Sequence, residues 1–355
     1  MNISSQLARR FVRFGLLGCI IFLLIACGTG GNTNPPATSN TTPATGTSTT
    51  TPVITGTITE FPAGDSDPRV ITAGPDGNLW FGGADKYRNN AVVRMTPTGS
   101  LTAFKLPTSF SSISQITAGP DGNLWFTSYD SASIGRITPT GSITTFRLST
   151  GYARDITAGP DGNLWFTLSP FDSYSKAYIG RITPTGTVTE FTSQDSAAAI
   201  TTGLDGNLWF TESLLGGNHA QIGRMTPTGN LTEFPLPDNS TAQAITAGPD
   251  GNLWFTEPGN AQIGRMTPTG NLTEFPLLSS DSSAVAITAG PDHNLWFTEK
   301  SPVVQIGRMT PTGSVTEFPV TPDTKPDAII VGPDHNLWFA EDDTGQIGRF
   351  TVGKP

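Results

Sequence analysis

One phrase governs what this chain can fold into. The segment ITAGPDGNLWF recurs with small changes, and its tryptophans fall at Trp80, Trp125, Trp165, Trp209, Trp254, Trp296 and Trp338. Successive spacings are 45, 40, 44, 45, 42 and 42 residues. A fixed period of this kind marks a unit that cannot bury its apolar surface alone and must stack on its neighbours. Several short strands in about 40–45 residues match one blade of a propeller.

The strands within a repeat can be placed. Ile-Thr-Ala is the inner strand. Pro-Asp-Gly-Asn is a tight turn, in which Pro fixes φ, Asp bonds locally and Gly takes positive φ. Leu-Trp-Phe-Thr is the second strand, Ile-Gly-Arg-Met-Thr the third, and Leu-Thr-Glu-Phe, after a Pro-Thr-Gly turn, the fourth. Alternation puts Leu and Phe of the second strand on one face and Trp and Thr on the other. Both faces meet neighbouring blades, so the seven tryptophans belong to the core. Only 14% of residues are charged, and 40 Gly and 29 Pro supply turns, as an all-β fold needs.

Closure is legible as well. The fourth-strand phrase first occurs at 58–61, before the first Trp, and the last repeat ends without one. The expectation is an all-β, seven-bladed β-propeller of four-stranded blades. Ile58–Phe61 completes the last blade and leaves no open edge. A linear solenoid would want capping repeats at both ends, and none is visible.

The N-terminus reads as an address. Arg9, Arg10 and Arg13 precede an apolar run from Phe14 to Ala26, which fits a signal peptide and is short for a membrane span. Leu24-Ile25-Ala26-Cys27 resembles a bacterial lipoprotein box, making residues 1–26 a signal peptide and Cys27 the lipid attachment point. Residues 27–52 are rich in Thr, Ser, Pro and Gly and carry no large apolar residue, so they form a disordered tether. Residues 53–355 form the propeller. The expected location is the bacterial cell envelope, lipid-anchored outside the cytoplasmic membrane, or secreted if Cys27 is not modified.

Both cysteines, Cys19 and Cys27, lie before the repeats, which excludes disulfides and Cys-based metal sites in the propeller. Without residues 1–26 the chain keeps 17 basic and 29 acidic side chains, near −12. That disfavours nucleic acid, and leaves the lipid as the only membrane contact. The expected partner is a small molecule, peptide or surface glycan, met by a monomer.

We call the face where inner strands begin and second strands end the top. The second-strand end holds Gly83, Ser128, Leu168, Glu212, Glu257, Glu299 and Glu341. Four acids in four consecutive blades suggest either carboxylates converging on a divalent cation or repeat inertia, each Glu being solvated or paired with an Arg of a nearby IGR segment. Two residues before the inner-strand Ile, Arg69, Arg154, Gln243 and Asp327 form a mixed polar funnel, or an ordinary rim. His293 and His335 replace the turn Gly on the opposite face. His219, in the loop 213–220, is the one histidine placed to act as a base near the acids.

The phrase GPDGNLWFTE, followed by a loop and IGRMTPTG, resembles the virginiamycin B lyase family of streptogramin lyases over residues 57–355. The resemblance implies a seven-bladed propeller. It also implies Mg-dependent β-elimination that linearises cyclic depsipeptide antibiotics, with the metal polarising the ester carbonyl and a histidine moving the proton. The family's metal-binding glutamate ends the WFTE phrase, which implies Mg2+ at Glu257, Glu299 or Glu341. Its histidines stand in Pro-His-x-Ile-Thr, and no repeat here has His at that place. The first expectation is therefore a binding propeller. The second is a divergent lyase, with a lactonase-like hydrolase a distant third.

Overall fold

The structure is a computed structural model that describes residues 56–84, 90–172, 177–193, 195–213, 220–238, 240–300, 303–320, 324–341 and 344–352. The expected signal peptide, Cys27, the tether and His219 lie outside the described residues. The described residues form seven four-stranded antiparallel sheets and no helix. Blades 1 to 6 each use four consecutive strands; blade 5, for example, runs Ile245–Ala247, Leu253–Glu257, Gln262–Met266 and Leu272–Pro276. In blade 7 the fourth strand is Gly56–Pro62, paired with Gln346–Val352 so that Ile58 faces Phe350 and Phe61 faces Ile347. The first strand thus locks the ring as the repeat pattern requires.

The core is seven cores, one per junction. Trp80 packs with Leu124 and Phe126 of the next blade, and the same pairing repeats around the ring. It closes when Trp338 meets Leu79 and Phe81 of blade 1. All seven indoles are fully buried. Six lie nearly parallel to the fourth-strand Phe of their own blade, at 5.3–5.6 Å between ring centroids. Phe61 supplies that ring for Trp338, at 5.2 Å.

The polar residues of the repeat explain their own places. Each indole N–H donates to the turn Asp four residues earlier, at 2.8–3.1 Å, so no buried donor is stranded. His293 and His335 take φ of 58° and 59° at the turn, as their replacement of Gly implies. The third-strand Arg lies over the Trp of its own blade and, in every blade but the sixth, over the Phe as well. In blades 1 to 5 it also donates to the Pro carbonyl of the next blade's TPTG turn, at 2.8–3.2 Å. The Gly of IGR sits under the second-strand Phe, where any Cβ would collide with the ring. That contact fixes which face the Phe, and every residue in phase with it, must take.

Candidate functional site

The inner strands converge at the top on a central cavity of about 490 Å3. Its wall takes two consecutive residues from each blade, those one and two places before the inner-strand Ile. A regular strand would send such neighbours to opposite faces. Here the pairing of first and second strands shifts register at this point in blades 3, 4, 6 and 7. A bulge of this kind turns an extra side chain to the same side.

The buried Thr of LWFT braces the distorted strand. Thr127, Thr167 and Thr211 donate to the carbonyls of Arg154, Ala198 and Gln243 in the next blade, at 2.6, 3.0 and 3.1 Å. Thr167 and Thr211 also accept from the amides of Asp155 and Ala199 in their own blades, at 3.1 Å each.

The structure brings Arg69, Arg154, Gln243 and Asp327 together in this wall, as the sequence suggests. Arg154 has its guanidinium 5.8 Å from the centre of the Tyr129 ring. Asp327 is held in an ion pair by Lys300. Arg69 lies 3.7 Å from Asp67, both well exposed.

Asp155, Gln115 and Tyr129 are among the wall residues that the sequence reading does not name, and their side chains are polar or aromatic. Asp155 accepts from the amides of Ile156 and, across the blade boundary, Ile200, both at 2.8 Å. Burial pushes its carboxyl up to about 6, against the pull of those amides and Gln115. It thereby ties blades 2, 3 and 4 together beside the axis. The signal was one position away: Asp155 is the only acid immediately before an inner-strand Ile.

The four glutamates do not converge. Glu212, Glu257, Glu299 and Glu341 are fully buried. Each shares a face with the second-strand Leu and Phe, so it points into the junction between blades and away from the axis. Ser193 and Gln221 hold Glu212, Gln221 at 3.0 Å. Thr344 donates to Glu341 at 3.0 Å. Each also faces a fourth-strand acid of its own blade: Glu233, Glu274, Glu317 and Glu60.

Burial, reinforced by that repulsion, pushes Glu212, Glu257 and Glu341 up to about 7, and Glu299 the same way. Pairing with an Arg of IGR is not seen either: Arg308 and Arg349 lie against a turn Asp, and Arg224 and Arg265 donate to the carbonyls of Pro268 and Pro311. Among the described residues no three His, Cys, Asp or Glu side chains come together as a metal-binding group. The expectation of one Mg2+ held jointly by Glu257, Glu299 and Glu341, with Glu212 beside them, therefore does not fit this arrangement.

A propeller with one top cavity, walled by its own inner strands, is the class that fold and site define. The profile of the virginiamycin B lyase family matches residues 41–191 and 169–354, and the chain belongs to that family. A catalytically inactive His-to-Ala variant of virginiamycin B lyase from Staphylococcus aureus, solved with quinupristin, is 32% identical with a TM-score of 0.74; the match covers 84% of this chain and 100% of that one. A streptogramin B lyase is also 32% identical, with a TM-score of 0.73 and coverage of 84% and 98%. The WD40 propeller domain of Doa1, 11% identical with a TM-score of 0.65 over 83% of this chain and 96% of that one, shares the fold alone. None of the curated proteins matches the chain in sequence.

Proposed function

We propose that this chain is a binding propeller built on a lyase scaffold, and that its top cavity takes a small molecule, a peptide segment or a surface glycan. One observation carries the reading. The places where the family has its histidines hold Arg69, Ser114, Arg154, Ala198, Gln243, Val285 and Asp327. None of these is an imidazole poised to move a proton near neutral pH. The burial of Glu257, Glu299 and Glu341 between blades supports the same conclusion. The sequence at residues 1–52 supports export, a lipid on Cys27 and display of a monomer on a tether, outside the cytoplasmic membrane.

Incubation with quinupristin and Mg2+ tests the reading. Ring opening by elimination leaves the mass unchanged, so products must be separated by chromatography and identified by fragmentation. The expected result is intact cyclic antibiotic under conditions where a virginiamycin B lyase converts it. A linear product would overturn the binding reading in favour of a divergent lyase. For the anchor, Cys27→Ala is expected to release the protein from the membrane fraction.

A further inference from the structure

Asp155 shows what the inner edge of the ring can hold. In each blade the Gly three places after the inner-strand Ile donates its amide to the Asn of the turn, as Gly248 does to Asn252 at 2.8 Å. Alternation in an antiparallel pair then turns the amide of that Ile the other way, toward the axis. Three of these inward amides are taken by side chains. Ile116 donates to Gln115 of its own blade at 2.9 Å, and Ile156 and Ile200 donate to the two carboxyl oxygens of Asp155. One planar group thus bridges the amides of adjacent blades.

At Ile71, Ile245, Ile287 and Ile329 the preceding residue supplies no side-chain acceptor: it is Val70, Ala244, Ala286 or Ala328. These alanines line both the top cavity and the channel of about 270 Å3 beneath it, where the four isoleucines lie. Blades 5, 6, 7 and 1 therefore present amide donors set among methyl groups, at the level where cavity and channel meet.

Charge is disfavoured there. Arg69 and Arg154 in the wall are balanced by Asp155 and Asp327, and burial outweighs the bonds to both amides in pushing the Asp155 carboxyl up to about 6. The acceptor that fits is an uncharged carbonyl oxygen, which costs far less to desolvate than a carboxylate. Higher in the wall, Tyr129 is 59% exposed, and Arg154, Gln243 and Asp327 carry polar groups able to meet hydroxyls.

We infer that the cavity binds an uncharged N-acetylated sugar. Its acetamido oxygen accepts from inward amides of adjacent blades, its methyl group lies against the alanines, and a sugar ring packs on Tyr129. This rests on the reading of the cavity as a binding site, and selects the glycan among the ligand classes that reading admits.

Calorimetry on the full chain compares N,N′-diacetylchitobiose with cellobiose, which lacks the acetamido groups, and with N-acetyl-dialanine amide, an uncharged peptide. Diacetylchitobiose is expected to bind at least about tenfold more tightly than cellobiose, the worth of a pair of neutral hydrogen bonds, and more tightly than the peptide. With isotopically labelled isoleucine, NMR should show amide signals moving within the set Ile71, Ile245, Ile287 and Ile329, while Ile116, Ile156 and Ile200 stay in place. Ala244→Asp combined with Ala328→Asp repeats the Asp155 arrangement at all four amides. It should bring diacetylchitobiose down to the level of cellobiose, with the thermal midpoint as folding control. Equal binding of the two sugars, no binding of diacetylchitobiose, or unmoved signals from the four amides overturns the inference. A peptide that binds as tightly as diacetylchitobiose overturns the choice of a sugar. Val285→Trp tests the underlying reading separately, because Val285 lines the upper cavity. Loss of binding there keeps the cavity as the site whichever probe it prefers, and binding that survives overturns the cavity reading itself.

Discussion

Blades 1 to 3 and blades 4 to 7 share one repeat and treat the same position differently. At the end of the second strand the later blades bury a glutamate opposite a second acid, whereas the earlier ones have Gly83, Ser128 and Leu168. At the cavity wall the relation reverses: the earlier blades carry Arg69, Tyr129, Arg154 and Asp155, and the later ones mostly small apolar residues. The difference separates two kinds of polarity. The second-strand acids of the later blades lie inside junctions, where they govern stability. Arg69, Tyr129, Arg154 and Asp155 of the earlier blades line the cavity, where a ligand can meet them, joined from the later blades by Gln243 and Asp327.

The largest effect should come from importing the acid where its surroundings are missing. Leu168 is buried in blade 3 and pairs with Tyr178, where blade 4 pairs Glu212 with Gln221. Leu168→Glu would face Glu190, whose Oε1 already accepts from Thr150 at 2.7 Å. A buried, poorly solvated charge of this kind costs about 3–5 kcal/mol. Urea denaturation at pH 8 should show a loss in that range. A loss under about 1 kcal/mol, the size of an ordinary surface change, would mean the junctions of the two halves are interchangeable.

Next comes the pH dependence of the later blades. Glu212, Glu257 and Glu341 sit near 7 in the fold against an ordinary 4.5, so between those values the folded state holds more protons than the unfolded one. Stability from this source is complete below about 4.5, falls as pH rises and is gone above about 7. Asp155, raised to about 6, acts with the same sign over a narrower range.

The turn aspartates oppose it only in stronger acid. Burial alone would raise Asp76, Asp121, Asp161, Asp250, Asp292 and Asp334, but bonds from Trp and Asn outweigh it and hold them below 3.8. Their contribution is lost only as pH drops below 3.8 toward their folded values. The thermal midpoint should therefore peak near pH 4–5 and decline toward pH 8. A midpoint that rises from pH 5 to 8 would contradict the buried placement of the glutamates.

The two halves also differ in how readily their sequences disclose them. The ring, its closure through Ile58–Phe61, the tryptophan cores and the two turn histidines follow from period and local chemistry, because each repeat states them again. The glutamates were legible in part. Alternation from Phe255 to Glu257 already sets them on one face, and Gly264 beneath the Phe ring fixes that face inside the junction. Standing at a strand end, they look like rim residues until that phase is followed. Asp155 was hidden for another reason. A bulge breaks the two-residue period, and neither Ala153 nor Ile156 announces that the register slips between them.

Asp155 offers an intermediate test, on the cavity side of the comparison. Asp155→Ala would strip the amides of Ile156 and Ile200 of their acceptor. Buried donors left unpaired cost about 1–3 kcal/mol. Asp155→Asn keeps one carbonyl oxygen and should recover about half of the loss at pH 7. Equal midpoints for Asp155→Ala and the parent would show that the wall stands without this bond across the blade boundary.

The smallest effect is a gain. Glu257 packs under Gly264 and faces Glu274, with the Ser240 hydroxyl the one side chain that favours its charged form. Glu257→Gln keeps the shape and removes the charge that must be neutralised at high pH. At pH 8 it should stabilise the fold by about 1 kcal/mol, since desolvating an amide costs less than desolvating a carboxylate. At pH 5, where the carboxyl is protonated, the two chains should melt together. That crossover distinguishes a titrating acid from a packing residue: a structural role alone would shift the midpoint equally at both pH values.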